Sequence, residues 1–150
     1  MGAVLGDLAR DDPALAEKLH KEYGRRLKEY LEARGIRFEG GRSPQEIVNN
    51  VLNVFLEKLE FARLEKLEDA GDKGKHGVWR NIMGRDAYAE LIKRGYDDPF
   101  LSCPLNAVIR AELERLGYTL VVHDADVNLE EDVLESWEEV KEGIEFLKKK

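Results

Sequence analysis

Apolar side chains recur at helical spacing soon after the chain begins. Leu15, Leu19, Tyr23, Leu27 and Tyr30 step by four or three positions, which draws one stripe along a helix. Asp11 or Asp12 supplies a cap, Pro13 suits the first helical position, and Gly35 suits the residue after the last turn. The other positions are largely charged, and His20 falls among them as a solvated residue. Gly24 sits mid-helix, where it costs about 1 kcal/mol relative to alanine. Simple tolerance and a close crossing with another element both account for it. Residues 1–10 carry little pattern and read as a short lead-in.

A second helix is announced by Ser43-Pro44-Gln45-Glu46, with Ser43 as cap, Pro44 at the first turn and Glu46 closing a capping box. Ile47, Val48, Val51, Leu52, Phe55, Leu56 and Leu59 give it a wide apolar face. From Glu60 to Met83 the period is ambiguous between a helical extension and strands. The turn chemistry of residues 69–74 favours a hairpin, roughly 61–69 with 75–83. Residues 85–94 predict a short helix stopped by Gly95. Pro104 opens another, lined by Leu105, Val108, Ile109, Leu113 and Leu116 and ended by Gly117. Residues 118–123 are rich in β-branched residues and read as a strand. Beyond them, Asn128 and Glu131 resemble a capping box. Val133, Trp137, Val140, Ile144 and Leu147 step 4, 3, 4, 3 like an a/d seam, so residues 128–150 read as a C-terminal amphipathic helix. The whole is a helix-rich α+β chain with α/β-like stretches, a single domain carrying a small, mainly antiparallel sheet.

Composition narrows the function classes. At 150 residues the chain has the size of one ordinary domain. Lys plus Arg is 24 and Asp plus Glu is 31, a net charge of −7 that offers no footprint for a phosphate backbone, so no nucleic-acid partner is expected. No apolar run approaches the roughly eighteen residues of a membrane span, and no signal peptide is visible. A soluble, cytoplasmic protein is expected. A single cysteine excludes an internal disulfide and a cysteine zinc cage. Abundant Glu and Lys with little Met and Cys give a thermophile-like composition.

Few residues suggest chemistry. Cys103 lies near a helix start, a place that favours the thiolate. As a nucleophile it needs a base, and His76 or His123 are the available partners. The competing reading is a buried small apolar residue. His76, His123 and Asp124 or Asp126 could form a two-histidine, one-carboxylate site, but no metal-ligand spacing supports it, and surface or hydrogen-bonded histidines are preferred. The acidic run Asp124, Asp126, Glu130, Glu131 and Asp132 lacks the glycine and final glutamate of a calcium loop, and reads as capping plus a solvated face. Trp79 and Tyr88 flank a strand-to-helix junction, where apolar pockets often have an edge. Core packing is the plainer role for them.

The order of elements, with Tyr23-Gly24-Arg25-Arg26-Leu27, Tyr30-Leu31, Ser43 to Phe55, Asp98-Pro99-Phe100-Leu101-Ser102-Cys103-Pro104 and Leu116-Gly117-Tyr118, resembles the superfamily that joins 4-vinyl reductase (hydrocarbon-binding) domains with the small core subunits of the TRAPP vesicle-tethering complex. The chain departs from the 4-vinyl reductase pattern in having no further cysteines after the strand, so metal binding is not carried over. The resemblance implies a non-catalytic ligand-binding module, commonly dimeric. An apolar or tetrapyrrole-like ligand is then expected between the central helices and the sheet, lined by Trp79, Tyr88, Phe100 and Cys103. Two alternatives remain: an interaction protein forming a homodimer through its helices, and a cysteine-dependent enzyme.

Overall fold

The structure, a computed structural model, describes residues 2–142. Two blocks follow the same plan of helices and then a hairpin. In the first, α1 (Gly2–Asp11), α2 (Pro13–Ala33) and α3 (Pro44–Asn53, continued by one π turn, Val54–Lys58) precede β1 (Arg63–Asp69) and β2 (Lys75–Arg80). In the second, α4 (Arg85–Lys93) and α5 (Pro104–Glu114) precede β3 (Tyr118–Asn128) and β4 (Val133–Glu142). The four strands form one sheet, antiparallel at every pair, in the order β1-β2-β4-β3. This is the expected helix-rich α+β architecture. Among the described residues no helix is long and apolar enough to cross a membrane.

Local chemistry sets the helix starts. Asp12 accepts a hydrogen bond from the Leu15 amide at 3.2 Å, and Pro13 follows at the first position. Ser43 accepts from the Glu46 amide at 3.2 Å, while the Glu46 carboxylate reaches back to the Arg42 amide at 2.8 Å. These bonds satisfy donors that the first helical turn leaves free. The core lies between the helices and one face of the sheet, where Val51, Phe55 and Val108 meet Trp79, Leu120 and Leu134. The first hairpin forms as expected, closed by a 3-10 turn over Gly71–Lys73.

Gly24 marks a close crossing. A Cβ there would lie 2.0 Å from the Ala107 carbonyl oxygen of α5, so only glycine lets the two backbones meet. That crossing reorients α2. Its buried positions are Ala16, His20, Gly24 and Leu31, the first three small or polar, whereas Leu15, Leu19 and Tyr30 of the expected stripe are 40%, 44% and 53% exposed and Leu27 packs partly buried against the core. His20, expected in solvent, is completely enclosed. The physical reason is steric: a backbone-to-backbone approach selects small side chains, and Leu15 and Leu19 are turned outward.

Two further expectations are corrected. Within the expected lead-in of residues 1–10, the described residues 2–10 are most of α1. Gly6 seats the Tyr96 ring, the Tyr96 hydroxyl donates to Asp7 at 2.7 Å, and the Arg10 guanidinium lies 4.3 Å from the ring centre. This packing uses one glycine and one distant aromatic, so it leaves no repeating stripe.

The second correction concerns the C-terminal helix. Residues 133–142 form β4, hydrogen-bonded to β2 on one side and β3 on the other. Pairing on both edges overrides the helical spacing, as tertiary context does for weak local preference. Val133 and Trp137 lie on one face and Val140 on the other, so the apparent seam is split. Asn128 still accepts from the Glu131 amide at 3.1 Å, but the bond tightens the β3–β4 turn instead of starting a helix. Ile144 and Leu147 lie outside the described residues.

Candidate functional site

The inner face of β2 and β4 does not pack completely against the helices. Between it and α3 and α5 runs a cleft of about 350 Å³. Val48 and Leu52 of α3, Leu105 and Ile109 of α5, and Leu64, Leu120 and Val140 of the sheet give it apolar walls. Asp69, Gly71, Gly74 and Lys75, in and beside the first hairpin turn, stand at one end with Glu139.

A polar cluster forms the floor. Glu138 Oε1 accepts from the Asn106 side-chain amide at 2.8 Å, and its Oε2 accepts from the Ser136 hydroxyl at 3.0 Å. Ser136 Oγ in turn accepts from Trp79 Nε1 at 3.0 Å. Strand geometry explains the grouping. Alternate residues share a face, so Ser136 and Glu138 follow Leu134 inward, and Gly77 and Trp79 do the same on β2. A Cβ on Gly77 would lie 2.7 Å from Trp79 Nε1, so the glycine keeps open the space through which the indole reaches Ser136. Burial raises the Glu138 pKa above its ordinary value, and the hydrogen bonds from Asn106 and Ser136 partly oppose the rise. Both hydrogen-bond partners are neutral. A carboxylate offers about four acceptor positions, and these two bonds leave capacity unused.

Trp79, Phe100 and Cys103 are brought together, but around a separate void of only about 20 Å³. That is room for one water at most. The void shares the wall of Trp79, Leu105, Asn106, Ser136 and Glu138 with the larger cleft, and of the four expected site residues only Trp79 lines both. Tyr88 packs edge-on against Phe100, with ring centres 5.3 Å apart. All four are buried. Cys103 caps α5, yet burial pushes its thiol up to about 11. The helix start therefore does not yield a thiolate here. The phenol of Tyr88 is also raised, by burial and by the neighbouring thiol.

The other histidines lie away from Cys103. His76 stacks on Trp137 with ring centres 4.5 Å apart and bonds Glu135 at 3.0 Å. His123 bonds Glu139 at 2.8 Å. Among the described residues no group of three or more His, Cys, Asp or Glu is placed to hold a metal ion. Asp124 approaches Lys73 at 3.5 Å and Asp132 approaches Arg85 at 3.1 Å, so members of the acidic run are drawn to separate cations.

A second polar cluster is buried one turn further along α5. Arg110 donates from Nε and a terminal nitrogen to the Leu120 carbonyl at 3.0 and 2.8 Å, to Asp98 at 2.8 Å, and to His20 Nδ1 at 2.8 Å. A guanidinium only donates, so Nδ1 must accept and the imidazole is neutral. Burial first, then the Arg110 charge, holds His20 down to about 4. A further cleft of about 310 Å³ borders this cluster, between α1, α2 and the segment before α5.

Sequence reasoning missed Glu138, Ser136, Asn106, Arg110 and Asp98. For Ser136 and Glu138 the usable signal was their even spacing from Leu134, which counts only once the segment is a strand. No protein-family model matches the chain, and no curated protein matches it in sequence.

Proposed function

We propose that this is a cytoplasmic, non-catalytic binding domain that takes a small apolar ligand in the cleft between α3, α5 and the inner sheet face. The observation that carries the reading is the cleft itself, with aliphatic walls from α3, α5 and the sheet, polar groups of Asn106, Ser136 and Glu138 on its floor, and a volume of about 350 Å³. Small-molecule sites have this make-up and run from roughly 300 to 1,000 Å³. The size, at the lower end of that range, favours a single chain or a small ring system over a tetrapyrrole. A module of this kind is also what the resemblance to the 4-vinyl reductase and TRAPP core-subunit superfamily implies. Calorimetric titration with octanol tests the reading. Saturable binding is expected, and it should vanish in Leu52→Trp, which fills the cleft from α3 while preserving an apolar wall. If none of octanol, octylamine and octanoate binds the wild-type protein, the reading fails.

A second reading concerns assembly. Leu15, Leu19 and Tyr30 leave an apolar stripe exposed along α2. A homodimer through this face is the helix-mediated association that fits the structure, since the residues 133–142 of the expected C-terminal stripe are in the sheet. Sedimentation across a concentration series should show a dimer that Leu19→Glu dissociates; a strict monomer at every concentration would remove this reading.

A further inference from the structure

Glu138 raises a question that the apolar walls do not answer. A cleft built only for hydrocarbon gains nothing from a carboxylate on its floor, because burying a charge without a counter-charge is costly. Here the carboxylate is fixed by two neutral donors, Asn106 and Ser136, and Ser136 is itself fixed by Trp79. Three neutral groups thus orient an acid whose own partners bring no positive charge. At the hairpin end the cleft sets Asp69 against Lys75, so with Glu138 the carboxylates of its lining outnumber the cations.

Resting on the binding reading above, we infer that the cleft selects ligands that join an apolar body to a protonated amine, and that Glu138 receives the ammonium group. The three ligand charges have different consequences. A neutral ligand displaces water from the cleft and leaves Glu138 without a charged hydrogen-bond partner. An anion meets repulsion from Glu138 and Asp69. An ammonium supplies both the missing charge and new N–H donors for the unused acceptor positions, and charge-assisted bonds of this kind are roughly twice as strong as neutral ones. The aliphatic walls from α3 and α5 then take the hydrocarbon part. The arrangement reads as specificity through an otherwise unpaired polar group, which penalises the ligand that lacks the partner.

Octylamine, octanol and octanoate share one chain and differ in the head group. Titrated into the wild-type protein at neutral pH, octylamine should bind about tenfold or more tightly than octanol, and octanoate weakest of the three. In Glu138→Gln, which keeps the shape and a carbonyl acceptor, the preference for amine over alcohol should fall to about one. Octylamine binding should also be lost in Leu52→Trp, which separates binding in the cleft from attraction to the acidic surface. Equal affinity for amine and alcohol in the wild type overturns the inference, as does a preference that survives in Glu138→Gln. Tightest binding of octanoate overturns it too, and assigns Glu138 as a protonated donor. The wild-type comparison requires no variant, so it decides the matter even if Glu138→Gln folds poorly. Octanol binding without amine preference removes this inference alone, whereas absence of binding by all three removes the cleft reading as well.

Discussion

Helix α5 carries two buried polar clusters one turn apart, and they are built to opposite rules. Arg110 belongs to a set closed in charge, although Arg110 and Asp98 also border a cleft. Its donors meet the Asp98 carboxylate, the Leu120 carbonyl and a neutral His20, and its charge has an opposite charge beside it. Asn106 belongs to an open set. It bonds a carboxylate that has no cation among its hydrogen-bond partners and that faces a cleft. A closed set ties α2, the segment before α5, and β3 together, and gives a structural role. An open set leaves an acceptor oriented toward whatever enters. The contrast separates polar groups that hold the fold from a polar group that is available for recognition.

The contrast breaks most visibly at Arg110. Arg110→Met should cost about 3–5 kcal/mol, because Asp98, the Leu120 carbonyl and His20 all lose a donor in a buried setting. Urea denaturation measures it, and a loss below 1 kcal/mol would mean that the cluster does not tie these elements together. His20 supplies the next effect. Its folded pKa lies below the unfolded value, at about 4 against 6.5. The unfolded chain therefore takes up the proton first, and stability contributed by neutral His20 is lost as pH falls from 6.5 toward 4. Over that window the loss should be roughly 3 kcal/mol at one pKa unit per 1.36 kcal/mol. The corresponding slope should disappear in His20→Gln when melting is followed against pH.

The open cluster should respond more weakly. Trp79→Phe removes the indole donor to Ser136 and some core volume, and a loss of about 1–2 kcal/mol is expected from chemical denaturation. Glu138→Gln should change stability at neutral pH by less than about 1 kcal/mol, or raise it, since the neutral amide avoids a buried charge. Its pH dependence runs opposite to that of His20. The folded pKa of Glu138 lies above the ordinary 4.5, so stability is highest below that value and declines as pH rises through the raised one. The stability of Glu138→Gln relative to wild type should therefore improve with rising pH. A large neutral-pH loss in this variant would place Glu138 with the closed cluster and remove the contrast.

The same contrast explains what could be read from residue order. Ser43-Pro44 with Glu46, Pro13 after Asp12, and the glycines of the first hairpin act through neighbours in sequence, so their elements were legible. Gly24 was legible as a question, with a close crossing as one of two answers. The outward turn of Leu15 and Leu19 was not, because it follows from the approach of Ala107 more than eighty positions away. Nor was β4, whose acidic sequence becomes a strand through pairing on both edges. The four expected site residues are buried, three of them around a small void, and the jigsaw packing that leaves about 20 Å³ around Cys103 and about 350 Å³ beside Glu138 is not encoded in periodicity. Glu138 was hidden by the same misread period that hid its strand.

The sheet order β1-β2-β4-β3 has a consequence for the order of events during synthesis. The strand translated last of the four occupies an interior position. Until it emerges, the first hairpin and β3 have no common neighbour, and their inner edges stay unpaired. The floor of the cleft, with Ser136 and Glu138, arrives with that same strand. A nascent chain thus joins its two hairpins and acquires its recognition group late, and the β2–β4 pairing that joins them is non-local, the slow kind of contact in folding. A ligand that requires Glu138 meets a finished sheet or nothing.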